Sequence, residues 1–250
     1  MRQRIKVLTW NIGGGYVRRA GTERYDRYDF GYFLDALARY APDLICLQEV
    51  QGQGFDQVAL LQRSTGYSIA AIAVSPSHFD PGSQLMVCIL SRWPLTFETY
   101  TQLPNPGISA VDDDGVFIVS FDNGFLSAFI APLGLRVHCG HCLPLHRFHR
   151  DLMEDEFLEL RSAIQAAIRP REREATLVCA DFNFPRLREA IPSVIPLMMK
   201  DCLSDTPTTP AGTRLDYILA THDLDVVESF VDADVLSDHF PVLAVLELSV

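Results

Sequence analysis

Short apolar runs rich in β-branched residues recur along the chain, at residues 5–10, 44–48, 67–73, 85–91, 116–121, 125–130, 135–141, 175–180, 215–220 and 242–248. Each has the length of a strand and is bounded by Gly, Pro, Asp or Asn, the residues that turn a chain. Three other stretches repeat at helical spacing. In 30–41, Phe30, Phe33, Leu34, Leu37 and Ala41 fall on one face, and Pro42 stops the run. The stretch 56–65 opens on Asp56 as a capping residue and closes at Gly66. The third, 150–168, carries Met153, Phe157, Leu160, Ile164 and Ile168 and ends at Arg169-Pro170. Strands and helices interleaved without strict β–α alternation predict an α+β sandwich rather than a doubly wound parallel sheet. Two longer connections, 13–29 and 200–214, are expected to be loops, and loops of that length in a compact domain usually carry function or move.

Of the 250 residues, 48% are hydrophobic and 21% charged, which rules out a disordered or low-complexity chain. One core buries about 70–75% of the surface of a chain this long, so a single domain over 1–250 is expected. No apolar run approaches the ~18 residues that span a bilayer. The basic start, Arg2, Arg4 and Lys6, leads into an apolar run that ends at Asn11, too short for a secretory signal, so a cytoplasmic location is expected. There the six cysteines, Cys46, Cys88, Cys139, Cys142, Cys179 and Cys202, are thiols, and four of them sit inside apolar runs as small hydrophobes. The net charge of −11 argues against a bulk nucleic-acid coat. It leaves room for an enzyme that reaches phosphates through a metal ion and a local basic patch.

Polar residues interrupt the apolar strands at their ends. Asn11 ends the first, Gln48-Glu49 the second, His141 the run 135–141, and Asp181-Phe182-Asn183 the run 175–180. Asp216 opens the run 215–220, and Ser237-Asp238-His239 precedes the last strand. Packed scaffolds present strand-end side chains to a shared cleft. Acids, amides and histidines gathered in this way make an oxygen-rich setting for a hard cation together with acid–base groups, which fits Mg²⁺ or Mn²⁺. Taken singly, a strand-end Asp or Asn is more often a turn residue than a ligand. The weight lies in the ordered set.

That set, Thr9-Trp10-Asn11, Leu47-Gln48-Glu49, Leu90-Ser91-Arg92, His141, Ala180-Asp181-Phe182-Asn183, Leu215-Asp216-Tyr217 and Ser237-Asp238-His239, resembles the endonuclease/exonuclease/phosphatase superfamily over essentially the whole chain. The resemblance implies a four-layer α/β/β/α sandwich with two packed, mainly antiparallel mixed sheets, and a divalent-metal-dependent phosphodiesterase. It implies Glu49 as principal metal ligand, with Asn11 beside it and Asp238 as a further ligand. Asp181 would orient and deprotonate the attacking water, and Asn183 would position that water or hold the phosphate. His239 would contact the phosphate with Asp216 fixing its tautomer, and His141 would stabilise the transition state or assist the leaving group. DNA or RNA leads as substrate, with a lipid or small-molecule phosphodiester as the alternative and a non-catalytic phosphate-binding module behind both. Arg92, Arg147, Arg186 and Phe184 are expected to bind substrate. Two departures stand out: Ala180 where Gly is usual, which matters only if the position needs positive φ, and Cys142 where an apolar residue is common.

Several residues admit other readings. Cys139-Gly140-His141-Cys142 spells a redox dithiol, but on a strand its thiols point to opposite faces. With His146 and His149 it has a zinc-like spacing. The segment 136–150 holds three arginines, four histidines and no acid, an anion-attracting patch unless Arg147 and Arg150 pair with Asp151, Glu154 and Asp155. Arg18, Arg19, Arg24 and Arg27 interleave with Tyr16, Tyr25 and Tyr28 as a phosphate-and-stacking surface, or form a solvated loop balanced by Glu23, Asp26 and Asp29. Gly13-Gly14-Gly15 lacks the Lys-Ser/Thr and the following helix of a phosphate-cradling loop. Phe182, Phe184, Arg186 and Arg188 line a substrate shelf or pack in the core.

Overall fold

Sixteen strands and four α-helices follow one another among the described residues of the computed structural model, which are 2–249 apart from Glu23, Gln53, Asp114 and Ser204. They are β1 (Arg2–Asn11), β2 (Tyr16–Val17), β3 (Arg27–Tyr28), α1 (Phe30–Tyr40), β4 (Leu44–Gln51), α2 (Gln57–Thr65), β5 (Ser68–Pro76), β6 (Gln84–Ser91), β7 (Thr96–Gln102) and β8 (Ser109–Val111). There follow β9 (Phe117–Val119), β10 (Gly124–Ile130), β11 (Leu135–His141), α3 (Leu158–Ile168), β12 (Ala175–Asp181), α4 (Leu187–Ala190), β13 (Met199–Asp201), β14 (Asp216–Thr221), β15 (Asp225–Val231) and β16 (Val242–Ser249). Two six-stranded sheets result, ordered β15-β16-β1-β4-β6-β5 and β13-β14-β12-β11-β10-β7, with β2–β3 and β8–β9 as separate hairpins.

Each large sheet has one parallel pair at its centre, β1 with β4 and β11 with β12, flanked by antiparallel neighbours. Both strands of a parallel pair end at the same edge. Asn11 therefore lies opposite Gln48, and His141 opposite Asp181.

The apolar runs are continuous because these central strands are buried on both faces. In β1, Ile5 and Val7 point between the sheets while Leu8 and Trp10 point toward α1. In β12, Leu177 and Cys179 point between the sheets while Val178 and Ala180 meet Ile164 and Ile168 of α3. Three apolar layers thus separate four structural ones: α1 and α2, the first sheet, the second sheet, then α3 and α4. This is the expected four-layer sandwich. Among the described residues no helix is long and apolar enough to cross a membrane.

Several local expectations fail for physical reasons. Asp56 precedes α2 but makes no side-chain cap and has φ 50°. The Gln57 side chain anchors that helix start instead, accepting from Gln51 N at 2.7 Å and donating to Gly14 O at 2.8 Å. The stretch 150–168 is not one helix, because Glu154 is extended (ψ 145°). The carbonyls of Leu152 and Glu154 there accept from Arg161, and regular α-helix starts only at Leu158. The loop 13–29 contains a buried one-turn helix at Gly13–Gly15 and the β2–β3 hairpin. In that loop Arg19 pairs with Asp26 and Arg27 with Asp29, as the solvated-loop reading holds; Glu23, its third acid, lies outside the described residues.

One buried titratable group lies far from the strand ends that gather the polar motifs. His138 of β11 sits beneath α3 with Nδ1 2.6 Å from Ser127 Oγ. Burial, reinforced by Arg136, lowers it from 6.5 to about 4. Between those values the unfolded chain takes up a proton that the folded chain refuses, so stability falls as pH drops through this window and levels off below it. The His138→Gln variant should show a shallower fall of melting temperature than wild type from pH 7 to pH 4, measured by circular dichroism in phosphate-free buffer. Parallel profiles would refute the assignment.

Candidate active site

The edge at which both parallel pairs end collects the polar residues singled out from the sequence. β1 delivers Asn11, β11 His141 and β12 Asp181. Glu49 arrives differently. The pairing of β4 with β6 slips between Leu47 and Val50, and at this bulge Glu49 takes φ 55°. A left-handed backbone costs a non-glycine residue about 1–2 kcal/mol. The bulge re-aims the carboxylate toward the edge while Gln48 stays buried against Thr9 Oγ1. Asn183 is likewise left-handed, at φ 52°, which an asparagine tolerates better than most residues.

The side chains converge tightly. Asn11 Nδ2 donates to Asp181 Oδ2 at 3.0 Å and to Glu49 Oε1 at 3.2 Å, while its Oδ1 accepts from Gly13 N at 3.0 Å. His141 Nε2 lies 3.6 Å from Glu49 Oε1 and 3.7 Å from Asp181 Oδ2. Fully buried Asp181 accepts at Oδ1 from Asn183 N at 2.8 Å, and at Oδ2 from Asn183 Nδ2 at 3.3 Å. Asn183 Nδ2 also donates to Cys142 O at 2.9 Å.

His239 approaches from the connection before β16, its carbonyl accepting from Trp10 Nε1 at 2.9 Å. Its Nδ1 is 2.9 Å from Asp216 Oδ2, and its Nε2 faces Asp181 Oδ2 at 3.8 Å. Burial disfavours the imidazolium, but Asp216, Asp181 and Asp238 outweigh it and hold His239 well above 6.5. Burial, with Asp181 adding to it, pushes Asp216 up to about 6. Buried Thr208 fixes the start of β14: its Oγ1 accepts from Leu215 N at 2.9 Å and Asp216 N at 3.1 Å. Nothing in the sequence pattern singled out Thr208; its signal was only a threonine in a proline-flanked loop. Trp10 stands in its motif only as the neighbour of Asn11.

Two donor sets on this edge are candidates for a divalent cation. Asp181, Asp216 and His239 have ligand atoms within 4.8 Å of one another, a mixed oxygen and nitrogen set. The second set is Glu49, Asn11 and Asp238. Burial raises Glu49 above its ordinary value and the charge of Asp238 raises it further, a repulsion that a cation relieves. A Cβ added at Gly13 (φ 49°) would lie 3.1 Å from Asp238 Oδ1, so a glycine there lets Asp238 approach the turn that follows Asn11. All-oxygen donors of this kind suit a hard divalent ion.

Not every expected residue belongs here. Arg92 does not: it pairs with Asp43 at 3.2 Å and with Tyr67 Oη at 2.6 Å, at the opposite end of β4, about 20 Å of strand from Glu49. Arg147 pairs with Asp112 at 2.6 Å, and Arg150 with Glu154 and Glu156. Arg186 lies over the Phe184 ring and pairs with Asp151 at 2.5 Å. Phe184 and Arg186 join Phe182, Leu215 and His146 around a cavity of about 270 Å³ beside Asn183. Cys139 faces the inter-sheet core and Cys142 the α3 layer, while His149 turns to Val111 O, so neither a dithiol nor a zinc set forms. Ala180 needs no positive φ, and Cys142 is buried like the apolar residue it replaces.

The sequence profile of the Endonuclease/Exonuclease/phosphatase family matches residues 8–239. No curated protein matches the chain in sequence. Among solved structures, an endonuclease/exonuclease/phosphatase from Beutenbergia cavernae is similar, with TM-score 0.73 at 19% identity over 98% of this chain and 72% of that one. An AP endonuclease from Archaeoglobus fulgidus gives TM-score 0.61 at 18% identity, over 96% and 98%. A mannosyl-6-phosphatase of Bacteroides thetaiotaomicron gives 0.63 at 14%, over 97% and 99%.

Replacing Thr208 by Val leaves two buried amide hydrogens without an acceptor, a loss of about 1–3 kcal/mol each where no water enters. Thermal melting of Thr208→Val should show that loss and Thr208→Ser should recover most of it; equal melting of the two variants would show that the hydroxyl is not the anchor of β14.

Proposed function

Because the chain belongs to the endonuclease/exonuclease/phosphatase family of hydrolytic phosphoesterases, we propose that it is a divalent-metal-dependent phosphodiesterase working at the edge where β1, β4, β11 and β12 end. The observation that carries this reading is Asp181, fully buried, with both imidazoles and the Asn11 amide within 3.8 Å of its Oδ2.

Each side chain then has a task. Asp181 takes the proton of a water aligned with the phosphorus, and Asn183 holds both that carboxylate and the water. His239, kept protonated by Asp216, presents Nε2–H to a non-bridging phosphate oxygen. His141, between the carboxylates of Glu49 and Asp181, faces the departing oxygen. As the water oxygen bonds to phosphorus, the P–O bond to the leaving group breaks and that oxygen takes up a proton. A divalent cation held by Glu49, Asn11 and Asp238 would neutralise the charge that builds on the phosphoryl oxygens.

For the substrate, the ion pairs are informative. Arg147, Arg150 and Arg186 are each matched by a carboxylate, and the chain carries a charge of −11. A strand-tracking nuclease needs unmatched cations. The cavity beside Asn183 is walled by Phe182, Phe184 and Leu215. Both features favour a compact organic phosphodiester with an apolar substituent over a long polynucleotide. A nucleic-acid substrate is the second reading, favoured by the stacking of Tyr16, on the hairpin that follows Asn11, with Phe79 of the β5–β6 connection (5.1 Å), and by the AP endonuclease among the similar structures.

Hydrolysis of bis(p-nitrophenyl) phosphate and nicking of supercoiled plasmid, each with Mg²⁺, Mn²⁺ or EDTA, separate these readings. The organic ester should be cleaved faster; plasmid nicking without ester turnover reverses the substrate assignment. Asp181→Asn and His239→Ala should each lower kcat by about 10²–10⁴-fold in folded protein. Wild-type turnover in either removes the mechanism. Glu49→Gln should raise the metal concentration needed for half-maximal rate, and an unchanged requirement would take Glu49 out of the ligand set.

A further inference from the structure

Beneath the carboxyl end of α3, on the outer face of the second sheet, the packing changes character. Elsewhere this face is apolar, with Phe125, Val178 and Leu219 against the helices. Here a polar row crosses three strands: Thr99 of β7 pairs with Ser127 of β10, which pairs with His138 of β11. Above the row α3 presents Ala163, Ala166 and Ala167, side chains too short to fill the space. A cavity of about 390 Å³ results, walled also by Arg136, Arg169 and Arg171.

Its charge is one-sided. Arg136 is matched by Glu174, through bonds of 2.7 and 2.9 Å. Arg169 and Arg171 form no ion pair with a described residue, although the field of Arg171 reaches both Glu174 and His138. Glu172 and Arg173, on the same turn, do not line the cavity. Pro170 confines Arg169 to extended backbone (φ −62°, ψ 122°), which fixes how the two arginines are presented. Favourable placement of cations at a helix carboxyl end accounts for arginines on that turn. It does not account for the polar row opposite them.

His138 supplies the second observation. In either tautomer the buried Nε2 has no partner among the described residues, and the tautomer in which the Ser127 hydroxyl donates to Nδ1 puts the ring proton on Nε2. An unmatched buried donor calls for a partner.

From the cationic rim, the hydroxyl row and the missing acceptor we infer that this cavity is a second anion site, distinct from the catalytic edge, that takes a phosphate-class oxyanion. Arg169 and Arg171 supply charge-assisted, fork-shaped donors to its oxygens. Thr99 and Thr101 supply hydroxyls, Ser127 spends its proton on His138 Nδ1, and His138 supplies the donor that the protein leaves unmatched. The alanines leave room for a substituent on the anion. The site lies at the opposite end of α3 from the cavity beside Asn183, which is walled by Leu160 and Ile164.

Isothermal titration of the metal-free full chain with inorganic phosphate, at constant ionic strength in chloride buffer, tests this. On the proposed function the catalytic edge takes phosphate as well, and any binding there is the part that His239→Ala weakens. Arg169→Ser/Arg171→Ser should weaken binding in the cavity by about tenfold or more while kcat/KM on bis(p-nitrophenyl) phosphate is unchanged. The His138 ring ¹⁵N resonances should shift with phosphate in wild type and stay still in the double variant. His138→Gln, which keeps a donor of similar length, should retain part of the affinity. A single site, abolished by His239→Ala and untouched by the arginine substitutions, overturns the inference, as does an unmoved His138 resonance.

Discussion

The side-chain amide of Asn11 donates from one nitrogen to carboxylates on different sheets, Glu49 of the first and Asp181 of the second. Sheets packed face to face are about 10 Å apart and touch mainly through apolar side chains, which fix spacing but not register. At the edge where the parallel pairs end, this amide supplies the missing register. His141 of the second sheet faces Glu49 of the first, and His239, just ahead of β16 in the first, faces Asp181 of the second, so a slide of one sheet over the other would break both contacts together. A directional contact between charged and polar groups in a buried setting is costly to half-break, which makes it an effective latch.

Around that latch the backbone departs from regularity. Glu49 and Asn183 hold positive φ, one at a bulge and the other just beyond a strand end. Each is restrained through its side chain, Glu49 by Asn11 and Asn183 by Asp181 and the Cys142 carbonyl. Two otherwise regular sheets thereby become a concave site without an added domain.

Much of this was legible in the sequence. Central strands buried on both faces read as unbroken apolar runs, and the polar residues ending them proved to share an edge. Edge strands were harder. β15 exposes Val227 and Phe230 along with its acids, and β7 is rich in Thr, so neither has the apolar density of a central strand. Arg92 sits in a motif of the right composition, but β6 runs antiparallel to β4 and carries it to the far end, a direction that no local pattern encodes. Thr208 was invisible because its role depends on where the loop returns to the sheet, at Leu215 and Asp216. The helical spacing of 150–168 was real, yet the Arg161 contacts to the carbonyls of Leu152 and Glu154 outweigh it before Leu158.

All six cysteines lie inside the packed layers, and burial raises every one of their thiols above the ordinary range. A thiol that is both inaccessible and protonated meets an alkylating reagent only when the layers around it part. The thiols are distributed: Cys46, Cys139 and Cys179 between the sheets, Cys88 toward α1, and Cys142 toward α3. Mass-resolved labelling of each cysteine therefore acts as a set of internal clocks. Common rates mean that the four layers come apart as one body, and distinct rates give the order in which they separate.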